Sequence, residues 1–274
     1  MNSICRKNGL DSLIYVTDIW LISRPNTGIL LERTVAIPKI RLMSTLGVLA
    51  PLRDRILPAY EQSRGVSLEV IFNPTNVLAG RVETGERADV IIAISDMVRG
   101  LAANGILSTR SIRDLASTTV GLAKAAGSPD VTIDSKEEFI SCMLSAKSIV
   151  FSQTGASGVF FRSLIERLGI AEQILARAKI IPQGLTAEHV LAGEADLAVQ
   201  QMSELLAVPG VDVIGPFPSD LNHTTIFTAA AFAEKEYSSD VADFLEFITG
   251  DFARKSYLEG GLDVPTVSAG AGAI

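Results

Sequence analysis

Apolar residues recur with two different spacings along this chain. From Lys39 onward, short apolar runs of strand length alternate with longer stretches in which apolar residues recur every three or four positions, the spacing of an amphipathic helix. The run ADVIIAIS, residues 88–95, is apolar at nearly every position, as expected of a strand buried on both faces of a sheet. This alternation predicts parallel strands connected by helices, which is an α/β fold.

The pattern divides into strands and helices with recognisable boundaries. Gly65 lies just past the end of one predicted helix, and Asp134 or Ser135 is placed to cap the start of another. The predicted strands are residues 39–45, 66–72, 88–95, 119–126, 148–152, 178–183, 195–201, 211–218 and 224–232. The predicted helices are residues 47–65, 75–86, 96–107, 135–146, 157–169, 186–193 and 239–261, the last in two pieces around Gly250.

Two segments of the chain share the same sequence pattern. TGERADVIIAISDMVRGLA, residues 84–102, and AGEADLAVQQMSELLA, residues 192–207, share Gly-Glu, then Ala-Asp, an apolar strand, a polar turn and a helix. One interpretation is that both are helix–strand–helix units with common surface residues. The other is that the chain forms two similar α/β lobes, each presenting the end of a strand to a shared cleft.

The turns that follow the predicted strands are rich in hydroxyl, amide and glycine residues and nearly free of charge. They are Ser44–Gly47, Asn73–Asn76, Ser152–Gly158, Pro182–Gly184 and Gln200–Ser203. In open parallel sheets, ligands bind outside the C-terminal ends of the strands, and a helix that begins there offers unpaired N–H groups and a partial positive charge. Several such turns together favour a site for an oxyanion or a carboxylate. Alternatively, the Ser, Thr and Asn side chains cap their own helices.

The turn SQTGASG, residues 152–158, does not match the common enzyme motifs. It has no Lys, which a P-loop requires, and it lacks the G-x-G-x-x-G spacing of a dinucleotide-binding turn. A nucleophile elbow requires G-x-S-x-G, but Val159 stands where the last Gly belongs. The turn is therefore interpreted as part of an anion site, with Thr154 and Ser157 supplying hydroxyl groups.

Composition narrows the class of partner. The formal net charge of −7 argues against a nucleic-acid partner, which requires a basic face. The two cysteines, Cys5 and Cys142, and the two histidines, His189 and His223, have no metal-ligand spacing, so neither a metal nor another cofactor is expected. No run of about 18 apolar residues predicts a transmembrane helix, and we expect no direct membrane insertion.

The N-terminal segment stands apart from this pattern. Residues 1–37 contain SLIYVTDIWLIS, in which Asp18 interrupts the apolar core, and no small-residue cleavage site follows as a secretory signal requires. We interpret this segment as an N-terminal extension, either disordered or upstream sequence included by the wrong start codon, with a signal peptide as the less favoured alternative.

Taken together, these segments resemble the type II periplasmic binding protein superfamily, in its molybdate-binding-protein-like branch. The resemblance is carried by RLMSTLGVLAPLRDRILPAYEQSRG, GERADVIIAISDMVRGLAANGIL, SIVFSQTGASGVFFRSLIERLGI and GEADLAVQQMSELLAVPGVDVIGPFP, and it covers roughly residues 38–265. It implies two Rossmann-like α/β lobes with a ligand cleft between them. Lobe one would comprise residues 38–118 plus 232–274, and lobe two residues 119–231.

The resemblance also implies which residues hold the ligand. In molybdate binders, hydroxyl groups and backbone N–H groups at helix starts hold the anion. The corresponding positions here are Ser44 or Thr45, Thr75 or Asn76, Ala156 or Ser157, and Gly184 or Leu185. Molybdate binders typically place a Tyr at the exit of the last strand, where this chain has Gln200. That difference puts molybdate in doubt and suits an organic carboxylate at least as well.

Two functions follow from the resemblance. The first is a non-catalytic, monomeric solute-binding protein for a small anion, a molybdate-like oxyanion or a di- or tricarboxylate, that works with an ABC permease. The alternative is an enzyme similar to the aconitate isomerases, which needs a general base; the candidates are His223, Glu188 and Lys124. The branch implies a periplasmic location, whereas the absence of a convincing signal peptide leaves a cytoplasmic one open.

Overall fold

The computed structural model describes residues 38–265, so the predicted N-terminal extension and residues 266–274 lie outside the described residues. Nine strands form within the described part of the chain, and every predicted strand has its counterpart. The strands are β1 (Lys39–Ser44), β2 (Ser67–Phe72), β3 (Val90–Ile94), β4 (Arg113–Ala125), β5 (Ile149–Ser152), β6 (Ala178–Ile181), β7 (Leu197–Gln201), β8 (Val211–Pro216) and β9 (Thr224–Ala231).

Helices connect these strands, and their ends follow ordinary helix chemistry. Gly65, with φ of 64°, ends α2 in the left-handed conformation that glycine adopts without strain. The helices are α1 (Leu49–Pro51), α2 (Leu57–Arg64), α3 (Thr75–Glu83), α4 (Ser95–Ala103), α5 (Lys136–Ser145), α6 (Ala156–Arg167), α7 (Ala171–Leu175), α8 (Thr186–Leu191), α9 (Met202–Leu206), α10 (Ser239–Thr249) and α11 (Asp251–Glu259). Short 3₁₀ turns cover Leu46–Val48, Thr109–Ser111 and Ala233–Lys235, and one π-helical turn covers Leu52–Ile56.

The strands follow the order β2-β1-β3-β9-β4-β7-β5-β6, and β8 also pairs with β4. The first lobe is built on β1, β2 and β3, which are parallel, and on β9, which is antiparallel to β3. The second lobe is built on β5, β6 and β7, which are parallel, and on β8. The predicted two-lobed α/β fold is therefore confirmed.

Strand β4 belongs to both lobes. Its first half, as far as Thr119, pairs with β9, and its second half, from Val120, pairs with β7 and β8. The sequence pattern predicts only the second half, because the first half carries charged and hydroxyl residues such as Arg113, Asp114 and Ser117 instead of an apolar run. The pattern also misses α7, whose five residues are too few to reveal a helical period.

Each lobe has apolar clusters on both faces of its sheet. In the first lobe, Leu42 and Ile92 pack with helices α2, α10 and α11 on one face, and Met43 and Ile91 pack with α3 and α4 on the other. The second lobe repeats this arrangement with two further clusters. Successive side chains of a strand point to opposite faces, so the central strand β3, with the sequence VIIAI, is apolar throughout, and polar residues follow where it ends.

Candidate functional site

A pocket lies between the two lobes at the ends of the strands. Its space amounts to about 380 Å³, including the open mouth. Turns that follow β1, β2, β5, β6 and β7 all contribute to its wall. The lining residues are Thr45, Leu46, Gly47, Pro74, Thr75, Ile94 and Phe227 from the first lobe, and Ser152, Gly155, Ala156, Ser157, Gly184, Gln200, Gln201 and Glu204 from the second.

In the first lobe, two threonine hydroxyl groups meet at the pocket. The Thr75 hydroxyl donates to Oγ1 of Thr45 over 3.1 Å, and both residues are buried. The backbone N–H of Thr45 is occupied by the carbonyl of Ile92, so its hydroxyl is the group that remains available as a donor. The Thr45 hydroxyl can therefore donate a hydrogen bond to a ligand without any formal charge.

In the second lobe, the turn between β5 and α6 supplies further hydroxyl groups to the pocket. The Ser152 hydroxyl oxygen accepts from the N–H of Gly155 over 3.0 Å, which leaves the Ser152 hydroxyl proton for another acceptor. Ser157, which is 2% exposed, lies in the first turn of α6. A Cβ atom at Gly158 would collide with the carbonyl oxygen of Ser152, so glycine there allows α6 to begin directly against the strand.

Helices α3 and α6 begin at the pocket without side-chain caps. Pro74 precedes α3 and Gly155 precedes α6, and neither residue has a side chain that can accept a hydrogen bond. The first N–H groups of an α-helix have no acceptor within the helix itself. Because the caps are missing, these N–H groups and the partial positive charge of the helix start are offered to the pocket.

Gln200 lines the pocket but also satisfies the start of α8. Its Oε1 accepts from the backbone N–H of Thr186 over 2.7 Å and from the Thr186 hydroxyl over 2.9 Å. Its Nε2 donates to the carbonyl of Gly184 over 2.9 Å. The amide oxygen therefore occupies the helix-start donors that the sequence analysis assigned to a ligand near Gly184 and Leu185.

The predicted ligand residues do not include two polar side chains at the start of α9 that line the pocket, although Gln201 lies within the predicted turn Gln200–Ser203. Gln201 is buried, and its Nε2 donates to the Thr225 hydroxyl over 2.9 Å, while its Oε1 finds no hydrogen-bond partner among the described residues. Glu204 is 8% exposed, and one oxygen of its carboxyl accepts from the N–H of Gln201 over 3.2 Å. The spacing Gln201-x-x-Glu204, typical of a helix start, is the signal that could have identified both residues.

Burial governs the chemistry of the Glu204 carboxyl. Desolvation raises the pKa of Glu204 to about 7, and hydrogen bonds from the Gln201 backbone and the Gln200 side chain oppose this effect only in part. Within the described part of the chain, Glu204 is the one ionisable side chain of the lining. The pocket can therefore exchange a proton near neutral pH, although it offers a ligand no side-chain cation.

Several predicted ligand residues lie outside the lining. Ser44 is buried behind the pocket, where its hydroxyl donates to the carbonyl of Thr45 over 3.2 Å. Asn76 donates from Nδ2 to the carbonyl of Thr154 over 2.9 Å, and the Thr154 hydroxyl donates to the carbonyl of Pro182 over 2.7 Å. These side chains bind backbone groups because their turns place them at the back or the rim of the cleft.

The three predicted base candidates also lie away from the pocket wall. His223 is exposed, and its ring centroid lies 5.9 Å from that of Phe160. Lys124 is buried in an ion pair with Asp212, with 2.6 Å between Nζ and Oδ2. Glu188 is exposed on α8. None of the three lines the pocket.

Hydrogen bonds between the lobes lie on both sides of the pocket. The Ser203 hydroxyl on α9 donates to the carbonyl of Gly47 over 2.7 Å in a buried contact. The bond from Asn76 to the carbonyl of Thr154 joins the lobes at an exposed position. Because bonds on both sides of the pocket cross the cleft, the structure represents a closed arrangement of the lobes.

Neither a metal-ligand cluster nor a membrane-spanning helix is present in residues 38–265. These residues contain no group of three or more His, Cys, Asp or Glu side chains that could hold a metal ion. No helix in the same range combines the length and apolar character needed to span a bilayer.

Comparisons with known proteins give the chain its family. It is 28% identical to an aconitate isomerase of Pseudomonas sp over 81% of this chain and 87% of the relative. It is 24% identical to the molybdate-binding protein ModA of Escherichia coli K12 over 82% of this chain and 89% of that protein. The periplasmic molybdate-binding protein of Azotobacter vinelandii has the same fold, with a TM-score of 0.70 at 14% identity over 83% of this chain and 100% of that one.

These findings confirm the resemblance seen in the sequence, and the family model is the most direct of them. It describes bacterial extracellular solute-binding proteins and matches residues 40–262, nearly the whole range that the structure describes. The chain belongs to the bacterial extracellular solute-binding protein family.

Proposed function

We propose that this protein binds a small anion, either an oxyanion or a di- or tricarboxylate, in the pocket between its lobes, and that it acts as the substrate-binding component of an ABC transporter. One observation carries the proposal: uncharged strand-to-helix turns from both lobes converge on one pocket. Thr45, Thr75, Ala156, Ser157, Gly184 and Gln200 are the predicted ligand residues that line it.

The missing caps support an anion rather than a neutral ligand. The uncapped starts of α3 and α6 face the pocket from opposite lobes, and each offers N–H donors with a partial positive charge. An anion between the lobes would satisfy both helix starts at once. The molybdate-binding relatives are consistent with this chemistry, while Gln200 in place of the expected Tyr favours an organic carboxylate at least equally.

Release of the ligand would require the lobes to separate. We propose that the two moving bodies are the lobe that contains β1, β2, β3 and β9 and the lobe that contains β5, β6, β7 and β8, with the middle of β4 and the connection between β8 and β9 as the hinge. Opening would break the bonds from Ser203 to Gly47 and from Asn76 to Thr154. A periplasmic location and an ABC permease partner belong to the same proposal, and membership of the extracellular solute-binding family supports both.

Thermal-shift screening tests this function. A ligand that binds only the folded protein stabilises it by about 2.7 kcal/mol when its concentration is 100 times its Kd, and this raises the melting temperature. We expect a shift with molybdate, sulfate or a member of a di- and tricarboxylate series. If none of these anions shifts the transition, the proposal of a small-anion binder is wrong.

Glu204 favours one second candidate, an isomerase that moves a proton on a small polycarboxylate. The 28% identity to an aconitate isomerase is consistent with it. The Glu204 carboxylate would remove a proton from a carbon beside a substrate carboxylate, and the electron pair would spread into the adjacent double bond. The protonated Glu204 would exchange its proton with solvent and then donate a proton to the other end of that system, which would shift the double bond and restore the carboxylate. The uncapped helix starts would stabilise the intermediate charge.

Proton exchange distinguishes the two candidates. An isomerase incubated with aconitate in deuterium oxide would introduce deuterium at the reacting carbons, which nuclear magnetic resonance detects. A Glu204→Gln variant would lose this exchange, because an amide cannot act as the base. Binding of aconitate without exchange would leave the solute-binding function and exclude the isomerase.

A further inference from the structure

The pocket contains two groups that a simple anion site does not use. Gln201 and Glu204 lie at the start of α9, and both line the pocket. The Oε1 of Gln201 is a hydrogen-bond acceptor that has no donor among the described residues, and Gln201 is only 4% exposed. Glu204 is an acceptor as well when it is ionised. A ligand that carries only negative oxygens would face two acceptors along this part of the wall.

The carboxyl of Glu204 can change from acceptor to donor by taking up a proton. Burial raises the pKa of Glu204 to about 7, so the carboxyl is poised between its two forms near neutral pH in the empty pocket. An anion placed beside it disfavours the ionised form further, because like charges at short range repel. The bound state therefore favours the protonated carboxyl, which donates a hydrogen bond.

Charged groups on the neighbouring elements are engaged elsewhere. Helix α9 packs against β4, β7, β8 and the segment Leu46–Pro51, of which β7 and Leu46–Pro51 contain no charged residue. The charged residues on β4 and β8 are Arg113, Asp114, Lys124 and Asp212.

Each of these four residues has its own partner. Lys124 and Asp212 form an ion pair, Asp114 pairs with Arg99, and Arg113 donates to the backbone carbonyls of Arg110 and Ile112. None of them lines the pocket, and the described part of the chain places no cation beside Glu204 that would keep it ionised.

From this arrangement we propose that the protein binds its anion together with one proton, which is held on Glu204 and shared with the ligand. The proposal rests on the proposed anion-binding function and specifies the regulation of that same site by pH.

A defined pH dependence follows. Below pH about 7 the empty protein already carries the proton, and the affinity for a fully ionised ligand does not change with pH. Above pH about 7 each bound anion takes up one proton from solution, so Kd rises about tenfold for each pH unit. When the ligand leaves, the proton returns to solution.

Isothermal titration calorimetry in two buffers of different ionisation enthalpy tests this coupling. The probe is tricarballylate, a saturated tricarboxylate that cannot isomerise, with molybdate as a second probe. At pH about 8.5 the carboxylic acids of tricarballylate are ionised, since their ordinary pKa is about 4, and its own protons do not contribute. The difference in heat between the buffers gives the number of protons taken up per ligand. We expect about one for the wild-type protein and none for Glu204→Gln.

Glu188→Gln is the matched control, because Glu188 is an exposed glutamate of the same lobe that does not line the pocket. This variant is expected to take up about one proton, as the wild-type protein does. The proposal is overturned if wild-type binding involves no proton uptake at pH about 8.5, or if uptake persists in Glu204→Gln. If neither probe binds at any pH, the proposed anion-binding function itself fails, an outcome that differs from binding without a proton.

Discussion

Two pairs of helices in this protein differ in how the unpaired N–H groups of their first turn are satisfied. Helices α5 and α10 begin away from the pocket, where the Ser135 hydroxyl accepts from the N–H of Glu138 and the Ser238 hydroxyl accepts from the N–H of Val241. Helices α3 and α6 begin at the pocket behind Pro74 and Gly155, which provide no side-chain cap. The starts of α5 and α10 are therefore capped by side chains of the chain itself, whereas the N–H groups at the starts of α3 and α6 remain available to a ligand.

A missing cap is informative only when several occur together. Helices α7 and α11 also begin without a side-chain cap, and neither contributes to the pocket. The difference at α3 and α6 is that both starts belong to the wall of one pocket, one from each lobe, beside the hydroxyls of Thr75 and Ser157. Convergence, rather than any single helix start, identifies the site.

The largest expected effect comes from a charge at an uncapped start. Ser157→Asp places a carboxylate in the first turn of α6, where we expect a bound anion to lie. An uncompensated buried charge costs roughly 3–5 kcal/mol, so the affinity for the anion identified by thermal shift should fall on the order of 100-fold or more. Titration calorimetry measures the change, and circular dichroism checks that the variant is folded.

Ser135→Asp is the matched control, since it introduces the same charge at the capped start of α5. Asp is as good a cap as Ser, so both stability and anion affinity should remain close to those of the wild-type protein. Undiminished affinity in a folded Ser157→Asp variant would refute the assignment of this turn to the ligand.

The next effect concerns two glutamates at equivalent helix positions. Glu138 in α5 and Glu204 in α9 both occupy the third position of a helix and accept a hydrogen bond from the backbone N–H of the preceding cap residue, but Glu138 is exposed and Glu204 is buried. Because the folded-state pKa of Glu204 is about 7 and its unfolded value is about 4.3, the folded chain holds a proton that the unfolded chain releases.

The sign of this linkage fixes the pH window. The stabilisation is complete below pH about 4 and is lost as pH rises through about 7, by on the order of 3 kcal/mol. Urea unfolding between pH about 5 and about 8 should show this decline in the ligand-free wild-type protein and a smaller one in Glu204→Gln. Glu138→Gln should keep the wild-type decline, and an identical decline in all three proteins would contradict the assignment.

A smaller effect is expected from removing one hydroxyl at the pocket. Thr75→Val keeps the shape of the side chain but deletes the hydroxyl that bonds to Thr45. The Thr75 hydroxyl donates its proton to Thr45 and so leaves the Thr45 hydroxyl free to donate to the ligand; loss of one neutral hydrogen bond costs about 1 kcal/mol, so the affinity for the anion should fall about fivefold. The measurement is the Kd at fixed pH. Thr249→Val is its control, because that hydroxyl bonds only to backbone carbonyls within α10 and should leave Kd unchanged.

The smallest effect separates stability from binding. Ser135→Ala removes the side-chain cap of α5 and should lower the free energy of unfolding by about 1 kcal/mol. Its anion affinity should equal that of the wild-type protein, because α5 does not contribute to the pocket. Denaturant unfolding and calorimetry on the same preparation test both statements, and a loss of affinity would show that a capped start also influences the site.

The sequence predicted the fold well because the strands of a doubly wound sheet are buried on both faces. Runs such as ADVIIAIS carry that burial in their composition, and each helix between them shows its own period. The first half of β4 escaped prediction because its pairing with β9 depends on a distant segment. Local sequence propensity cannot predict a pairing with a strand that is distant along the chain.

The candidate site was predictable only at the level of turns. The rule that ligands bind at the strand ends led to the turns, and the family resemblance pointed within them to Thr45, Thr75, Ser157 and Gln200, which do line the pocket. It could not tell Ser44 from Thr45, because successive residues at a strand end point in opposite directions. It also gave no reason to select Glu204, whose chemistry comes from burial between the lobes.

The sequence by itself determined the α/β class and the uncharged character of the turns, since these depend on local periodicity and composition, and its resemblance to periplasmic binding proteins implied the two lobes. Only the tertiary structure decided which donors remain available. Gln200 satisfies α8, while Pro74 and Gly155 leave α3 and α6 open toward the pocket. Tertiary structure also placed one carboxyl in a desolvated cleft and so moved its pKa toward neutrality. The physical reason is that hydrogen-bond satisfaction and desolvation depend on neighbours that are distant in sequence and adjacent only in the folded chain.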